Sequence, residues 1–132
     1  MPYADTLVRA AEAPDARLER LNGELRDASA MTILRASFVR EWEDDITYVS
    51  SFGAESAVML ALIADVKPDL PIVFLETGMH FPQTLDYKAE ISEQLGLTNV
   101  RDFAPNEAER KILDPKNDLW RKDTDACCAL RK

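Results

Sequence analysis

An open α/β sheet is the fold class that this sequence predicts, and three observations predict it. Two short apolar runs, Ile46-Thr47-Tyr48-Val49 and Pro71-Ile72-Val73-Phe74-Leu75, have the length and composition of buried strands. Each is followed by a loop and then by an apolar helical pattern, over 54–66 and 84–95. The order strand, loop, helix, strand, loop, helix is that of parallel strands joined by right-handed crossovers.

The elements follow in order. Leu18, Leu21, Leu25 and Ala28 recur at helical spacing, as do Ile33, Leu34, Phe38 and Trp42. Residues 1–44 therefore read as helices, weakened at Asn22-Gly23 and divided at "DASAM". The acidic stop "EDD" precedes the first strand. The helix over 54–66 is apolar at Ala57, Val58, Leu60, Ala61, Leu62 and Ala64, as a helix packed on a sheet would be, and Lys67-Pro68-Asp69 ends it. After the second strand comes the loop "ETGMHFPQ", then the helix to Leu95, which Gly96 can cap. Residues 100–103 are a short third strand. This divides one α/β domain over 1–132 into N-terminal helices (1–44), a βαβα core (45–104) and a segment of short helices and loops (105–132). Regular periodicity fades past Ala104, so the last segment is expected to be weakly ordered.

The chain has 132 residues, 24 acidic and 16 basic, and a net charge of -8. Such a balance argues against sequence-independent DNA or RNA binding, which neutralises many phosphates. It leaves room for a small anion, which a few local cations and backbone N–H groups can hold. Arg121, Lys122, Arg131 and Lys132 gather late and suggest a local positive site. No run is long enough to span a membrane and the start lacks a signal-peptide core, so a cytoplasmic location is expected.

In open α/β sheets, ligands sit beyond the C-terminal strand ends. Both unusual loops, 50–55 and 76–83, fall there. In the first, Ser50, Ser51 and Ser56 offer hydroxyls, and Gly53 permits close backbone approach. A helix N-terminus follows, suited to an anion. Glu55 would repel a phosphate, so it either braces the loop through backbone N–H groups or faces a cation. A serine-capped turn without ligand would look the same. No Walker motif is present, which excludes an ordinary P-loop kinase or GTPase.

The two cysteines, Cys127 and Cys128, are adjacent, which disfavours a structural disulfide in a reducing compartment. A zinc site would need two more ligands, and His80 is the sole histidine. A redox-sensing thiol with its pKa lowered by Arg131 and Lys132, or two buried structural cysteines, are the other readings. Trp120 reads as packing, "NEAERK" as a solvated helix face, and His80 as a loop residue beside a nucleotide or in solvent.

Ser51-Phe52-Gly53-Ala54-Glu55-Ser56 resembles the S-G-G-x-D-S loop of the PP-loop superfamily of adenine-nucleotide enzymes. Phe at the second position is a feature of its sulfonucleotide reductase branch. Leu75-Glu76-Thr77-Gly78 and Phe81-Pro82-Gln83-Thr84 resemble that branch's L-D-T-G…F-P-E-T, departing at Glu76 and Gln83. Cys127-Cys128 with Arg131-Lys132 resembles the C-C-x-x-R-K of iron–sulfur adenylyl-sulfate (APS) reductases. The likeness covers roughly residues 47–132.

The resemblance implies a PP-loop, adenine nucleotide alpha-hydrolase-like fold and reduction of APS, or its 3′-phosphorylated relative PAPS, to sulfite and AMP in sulfate assimilation. It implies a thioredoxin- or glutaredoxin-type donor and allows a homo-oligomer. Ser50, Ser51, Phe52, Gly53, Glu55, Ser56, Leu75, Glu76, Thr77, Gly78, Arg131 and Lys132 would surround the substrate. Cys127 and Cys128 would supply half the ligands of a [4Fe–4S] cluster, a natural thiolate-bound centre. In the family the nucleophile is a C-terminal tail cysteine, and a C-x-x-C completes the cluster. These 132 residues hold neither, so the stretch is expected to be an N-terminal portion, inactive alone and without a retained cluster. Two other readings stand beside this one: an ATP-using PP-loop enzyme that adenylates its substrate, such as a sulfurtransferase, and a non-catalytic nucleotide- or redox-sensing module.

Overall fold

The computed structural model of the chain describes residues 12–132, in two compact units divided at Ile46 and Thr47. The expectation of helix from the first residue lies, for 1–11, outside the described residues.

In the first unit, helix α1 spans Pro14–Leu25, with proline in its first turn, where a missing N–H costs nothing. The break expected at "DASAM" falls before Ser29, whose Oγ accepts the Thr32 N–H at 3.2 Å. This caps α2, Ala30–Arg35. The chain then widens into a π-helix over Ala36–Glu41, a form that periodicity does not announce. Leu21, Leu34, Ala36 and Phe38 are buried, whereas Leu18 and Ile33 of the expected stripes are exposed.

A second departure is Glu41, whose side chain is fully buried. It accepts hydrogen bonds from Arg20 Nη1 and Nη2 at 3.2 and 3.1 Å, from Arg40 Nε at 3.0 Å and from Arg17 Nη2 at 3.3 Å. The Arg20 guanidinium, more than any other group, holds the Glu41 carboxyl below the ordinary range.

In the second unit, strands β1 (Tyr48–Val49), β2 (Ile72–Leu75) and β3 (Val100–Phe103) form a parallel sheet in the order β1-β2-β3. Tyr48 pairs with Ile72, and Ile72 with Val100. Helix α3 (Ser56–Val66) connects the first two strands and α4 (Pro82–Leu95) the last two. Two crossovers of one hand stepping the same way lay both helices on one face, and α3 and α4 pack on each other. Leu60 and Ile63 of α3 and Ile72 of β2 are fully buried, and Phe74 nearly so. Lys88 of α4 sits 4.4 Å over the Phe74 ring, so the Ile72/Phe74 face of β2 is the helix-covered one. Gly96, at φ +69°, closes α4 as expected. The Leu97 N–H reaches the Ser92 carbonyl in a Schellman arrangement.

Two expectations need correction. The first strand was expected as four buried residues, but only Tyr48 and Val49 pair, and Val49 is 58% exposed. Among the described residues, β1 lies at one edge of the three-stranded sheet and pairs on one side only. The tail past Ala104 was expected to be weakly ordered, yet it forms α5 (Glu107–Leu113), α6 (Leu119–Lys122) and α7 (Thr124–Arg131). Side chains cap α5 and α7 from their N-cap residues, and Asp114 takes N–H groups at the start of α6. Asn106 bonds the Glu109 N–H, Asp114 the Asp118 and Leu119 N–H groups, and Asp123 the Ala126 N–H. Capping chemistry, which hydrophobic period does not register, organises this segment. Among the described residues, no helix is long and apolar enough to cross a membrane.

Candidate functional site at the strand ends

The loop after β1 is folded on its own side chains. Ser50 is buried, donates its N–H to the Val73 carbonyl and accepts the Phe52 N–H on Oγ at 3.1 Å. Ser51 Oγ accepts the Gly53 N–H at 3.4 Å, and the Ser56 N–H turns back to the Gly53 carbonyl. Ser50 and Ser51 thus act as acceptors that shape the loop. The exposed Ser51 keeps a hydroxyl proton that an anion could accept.

Phe52 carries the loop's most unusual backbone, φ +53°, in the left-handed region that side chains disfavour. Its ring is 2% exposed and meets Phe74 edge-on at 5.7 Å between centroids. A position that a glycine fills without strain is therefore filled by an aromatic anchor. Glu55 is exposed and does not cap α3 with its side chain, so the bracing role expected for it is not seen.

The loop after β2 is braced from three sides. Glu76 Oε1 accepts the Gly78 N–H at 2.8 Å, and Thr77 Oγ1 accepts the Met79 N–H at 3.2 Å. Glutamate at the departing position therefore still closes the turn by side chain to backbone. Gly78 takes φ +73°, which explains glycine there. His80, expected beside a nucleotide or in solvent, is turned inward: Nε2 lies 2.9 Å from the Leu75 carbonyl and its ring 4.8 Å from Phe74. Phe74 thus joins the two loops through Phe52 and His80. Leu75 is half-buried at the end of β2. Gln83 is exposed in the first turn of α4.

The C-terminal cations do not form the expected open positive site. Arg131 is buried: Nη2 donates to Asp114 Oδ2 at 2.6 Å and to Asn117 Oδ1 at 2.9 Å, and Nη1 donates to the Thr77 carbonyl at 2.6 Å. Asp114 is equally buried, and the Arg131 hydrogen bond, ahead of the Leu119 and Asp118 N–H groups, keeps its carboxyl below the ordinary range. Lys122 pairs with Asp118 at 2.9 Å, and Arg121 lies over the Trp120 ring. Lys132 is exposed. Asp114 and Asn117 were missed in the sequence; both lie in "DPKND", a stretch of turn-forming residues, and Asn117 takes φ +54°.

Both cysteines are free thiols on α7, Cys127 buried and Cys128 exposed. Neighbouring helix positions diverge by about 100°. No group of three or more metal-ligating side chains occurs among the described residues. Two thiols are the right kind of donor for an iron–sulfur cluster and too few to hold one, so no chemistry is derived through it.

Residues 45–132 match the model of the phosphoadenosine phosphosulfate reductase domain. An adenosine 5′-phosphosulfate reductase of Mesorhizobium japonicum is 42% identical over 120 residues, covering 91% of this chain and 46% of its own. One of a Chelativorans species is 40% identical over 122 residues, covering 89% and 49%. The chain thus spans about half the length of these curated relatives. The crystal structure of a phosphoadenylyl-sulfate (PAPS) reductase from Candida auris, in phosphate complex, superposes with a TM-score of 0.70 at 23% identity, over 92% of this chain and 59% of that one. At that identity it shows a shared fold. With its family match spanning both loops and the cysteine pair, this chain belongs to the phosphoadenosine phosphosulfate reductase domain family.

Proposed function

We propose that the two loops at the ends of β1 and β2 hold the phosphosulfate end of adenylyl sulfate, and that the protein serves its reduction to sulfite and AMP. The observation that carries this reading is the pair of left-handed turns, at Phe52 and Gly78, that close neighbouring loops beyond the C-terminal strand ends. Ser51 and Ser56 would donate hydroxyl protons to the anion. The N–H groups of Ala54 and Glu55, just ahead of α3, would meet it at the positive end of the helix dipole. Gly53 lets the ligand approach: a Cβ there would meet nothing closer than Ser51 Oγ at 3.5 Å. Ser50, Phe52, Leu75, Glu76 and Thr77 shape the two loops, with His80 beneath them. Lys132, exposed beyond α7, would reach the substrate from the cysteine segment.

Cys127 and Cys128 are read as two of four cluster ligands, a set that these residues leave incomplete. The reduction needs a thiol to attack the sulfate sulfur, with AMP leaving. A second thiol, of thioredoxin or glutaredoxin type, then releases sulfite and closes a disulfide. The attacking thiol of the family is a tail cysteine, and residues 1–132 hold no cysteine besides the adjacent pair. They should bind adenylyl sulfate without consuming it.

The test is calorimetric titration of the 132-residue chain with adenylyl sulfate, beside a thiol-dependent sulfite assay. Binding without sulfite is expected. Full sulfite release by these residues alone would overturn the assignment of the nucleophile, and pyrophosphate release from ATP would favour an adenylating enzyme instead.

A further inference from the structure

Sequence pattern puts Arg131 among the groups that face the substrate anion, but the structure spends its charge elsewhere. Its side chain is 3% exposed and that of its partner Asp114 is fully buried. An anion that took Nη2 from Asp114 would break a buried pair and leave that carboxylate alone. The contacts of the guanidinium point instead to another task.

Arg131 lies one helical turn beyond Cys127 on α7, and both are buried. Its Nη2 is fixed by Asp114 and Asn117, whose backbone lies between α5 and α6. Asp114 is held in turn by capping α6 with its other oxygen. The second nitrogen, Nη1, reaches across to the Thr77 carbonyl, 54 residues away in the chain. A Cβ added to Gly78 would stand 3.4 Å from that same nitrogen, so the turn after β2 lies directly against it. We propose that Arg131 is a positioning residue: anchored by Asp114 and Asn117, it holds the Thr77–Gly78 turn in its ligand-ready form and ties it to the helix that carries the cysteine pair.

This rests on the reading that the turn meets adenylyl sulfate. If the latch is lost, only a fraction of molecules has the turn in place, and the apparent Kd rises by the inverse of that fraction. Loss of one hydrogen bond to a charged group corresponds to about a tenfold rise.

The experiment compares Arg131→Met, Arg131→Lys, Asp114→Asn and the Arg131→Met/Asp114→Asn double variant in the 132-residue chain. The readouts are the Kd for adenylyl sulfate by calorimetry and hydrogen exchange at the Gly78 and Met79 amides, both bonded within the turn. Arg131→Met and Asp114→Asn should each raise the Kd about tenfold, the double variant no further, and both amides should exchange faster. Arg131→Lys, which keeps the charge and a donor, should recover part of the loss. Should Arg131→Met fail to fold, Arg131→Lys and Asp114→Asn carry the same comparison.

A direct anion contact would instead leave binding unchanged or tighter in Asp114→Asn while Arg131→Met weakens it. Lower stability with unchanged Kd and exchange would reduce the pair to a fold element. Either result overturns the proposal. If the wild-type chain does not bind adenylyl sulfate at all, the functional reading fails, and amide exchange alone decides whether the latch exists.

Discussion

Phe52 gives the sharpest prediction, because two opposing costs meet at one residue. Truncating a fully buried phenylalanine costs about 3–5 kcal/mol in lost burial and cavity formation. Phe52, 2% exposed and packed on Phe74, qualifies for that range. Its φ of +53° adds a backbone term. Alanine there keeps the left-handed penalty of about 1–2 kcal/mol, whereas glycine is spared it. At an ordinary helix or strand position glycine would be about 0.5–1 kcal/mol worse than alanine. Here the left-handed term outweighs this, leaving Phe52→Gly more stable than Phe52→Ala by about 0.5–1 kcal/mol, although both fall below wild type. Urea denaturation followed by circular dichroism, with equal slopes required for the comparison, measures the difference. An alanine variant as stable as the glycine variant, or more so, would refute a strained anchor at the head of the loop.

The other predictions concern the turn, the core, the thiols and acid. Gly78→Ala should destabilise by about 1–2 kcal/mol through its left-handed φ alone, read by the same denaturation, and should weaken adenylyl sulfate binding in calorimetry. Leu60→Ala, at a fully buried site, should cost about 2–5 kcal/mol in thermal or urea unfolding. Cys128 should react rapidly with a chromogenic disulfide reagent and Cys127 only as the structure opens, since burial separates them. The depressed carboxyl of Glu41 contributes stability that is present above its unfolded pKa and is lost as pH falls through the folded one. Wild type should therefore lose stability below about pH 4, with a shallower acid branch in Glu41→Gln.

What the sequence made legible was whatever depends on period and on local turn chemistry. The parallel α/β order, the cap at Gly96 and the placement of both loops at strand ends could all be read from apolar runs and their punctuation. The inward turn of His80, the Glu41 cluster and the Asp114–Arg131 pair could not. His80 turns onto Leu75 and Phe74 within its own loop, which no period records; the two ion-pair sites join separate elements, and a charged side chain gives no sign of whether it faces solvent or a buried counter-charge. Arg131 shows the consequence, since its motif position suggests an anion ligand and its burial makes it a brace. Likewise the Ser51 and Gly53 pattern marked a loop that could hold an anion, but left open that Ser50 and Ser51 first accept the loop's own N–H groups.

The central claim is that the two strand-end loops form one nucleotide site. Titrating a ¹⁵N-labelled chain with adenylyl sulfate tests it most directly, by following each amide resonance. The account predicts the largest shifts at Ala54, Glu55, Gly78 and Met79, saturating together with one Kd. Shifts confined to other surfaces, or two loops saturating at different concentrations, would contradict it.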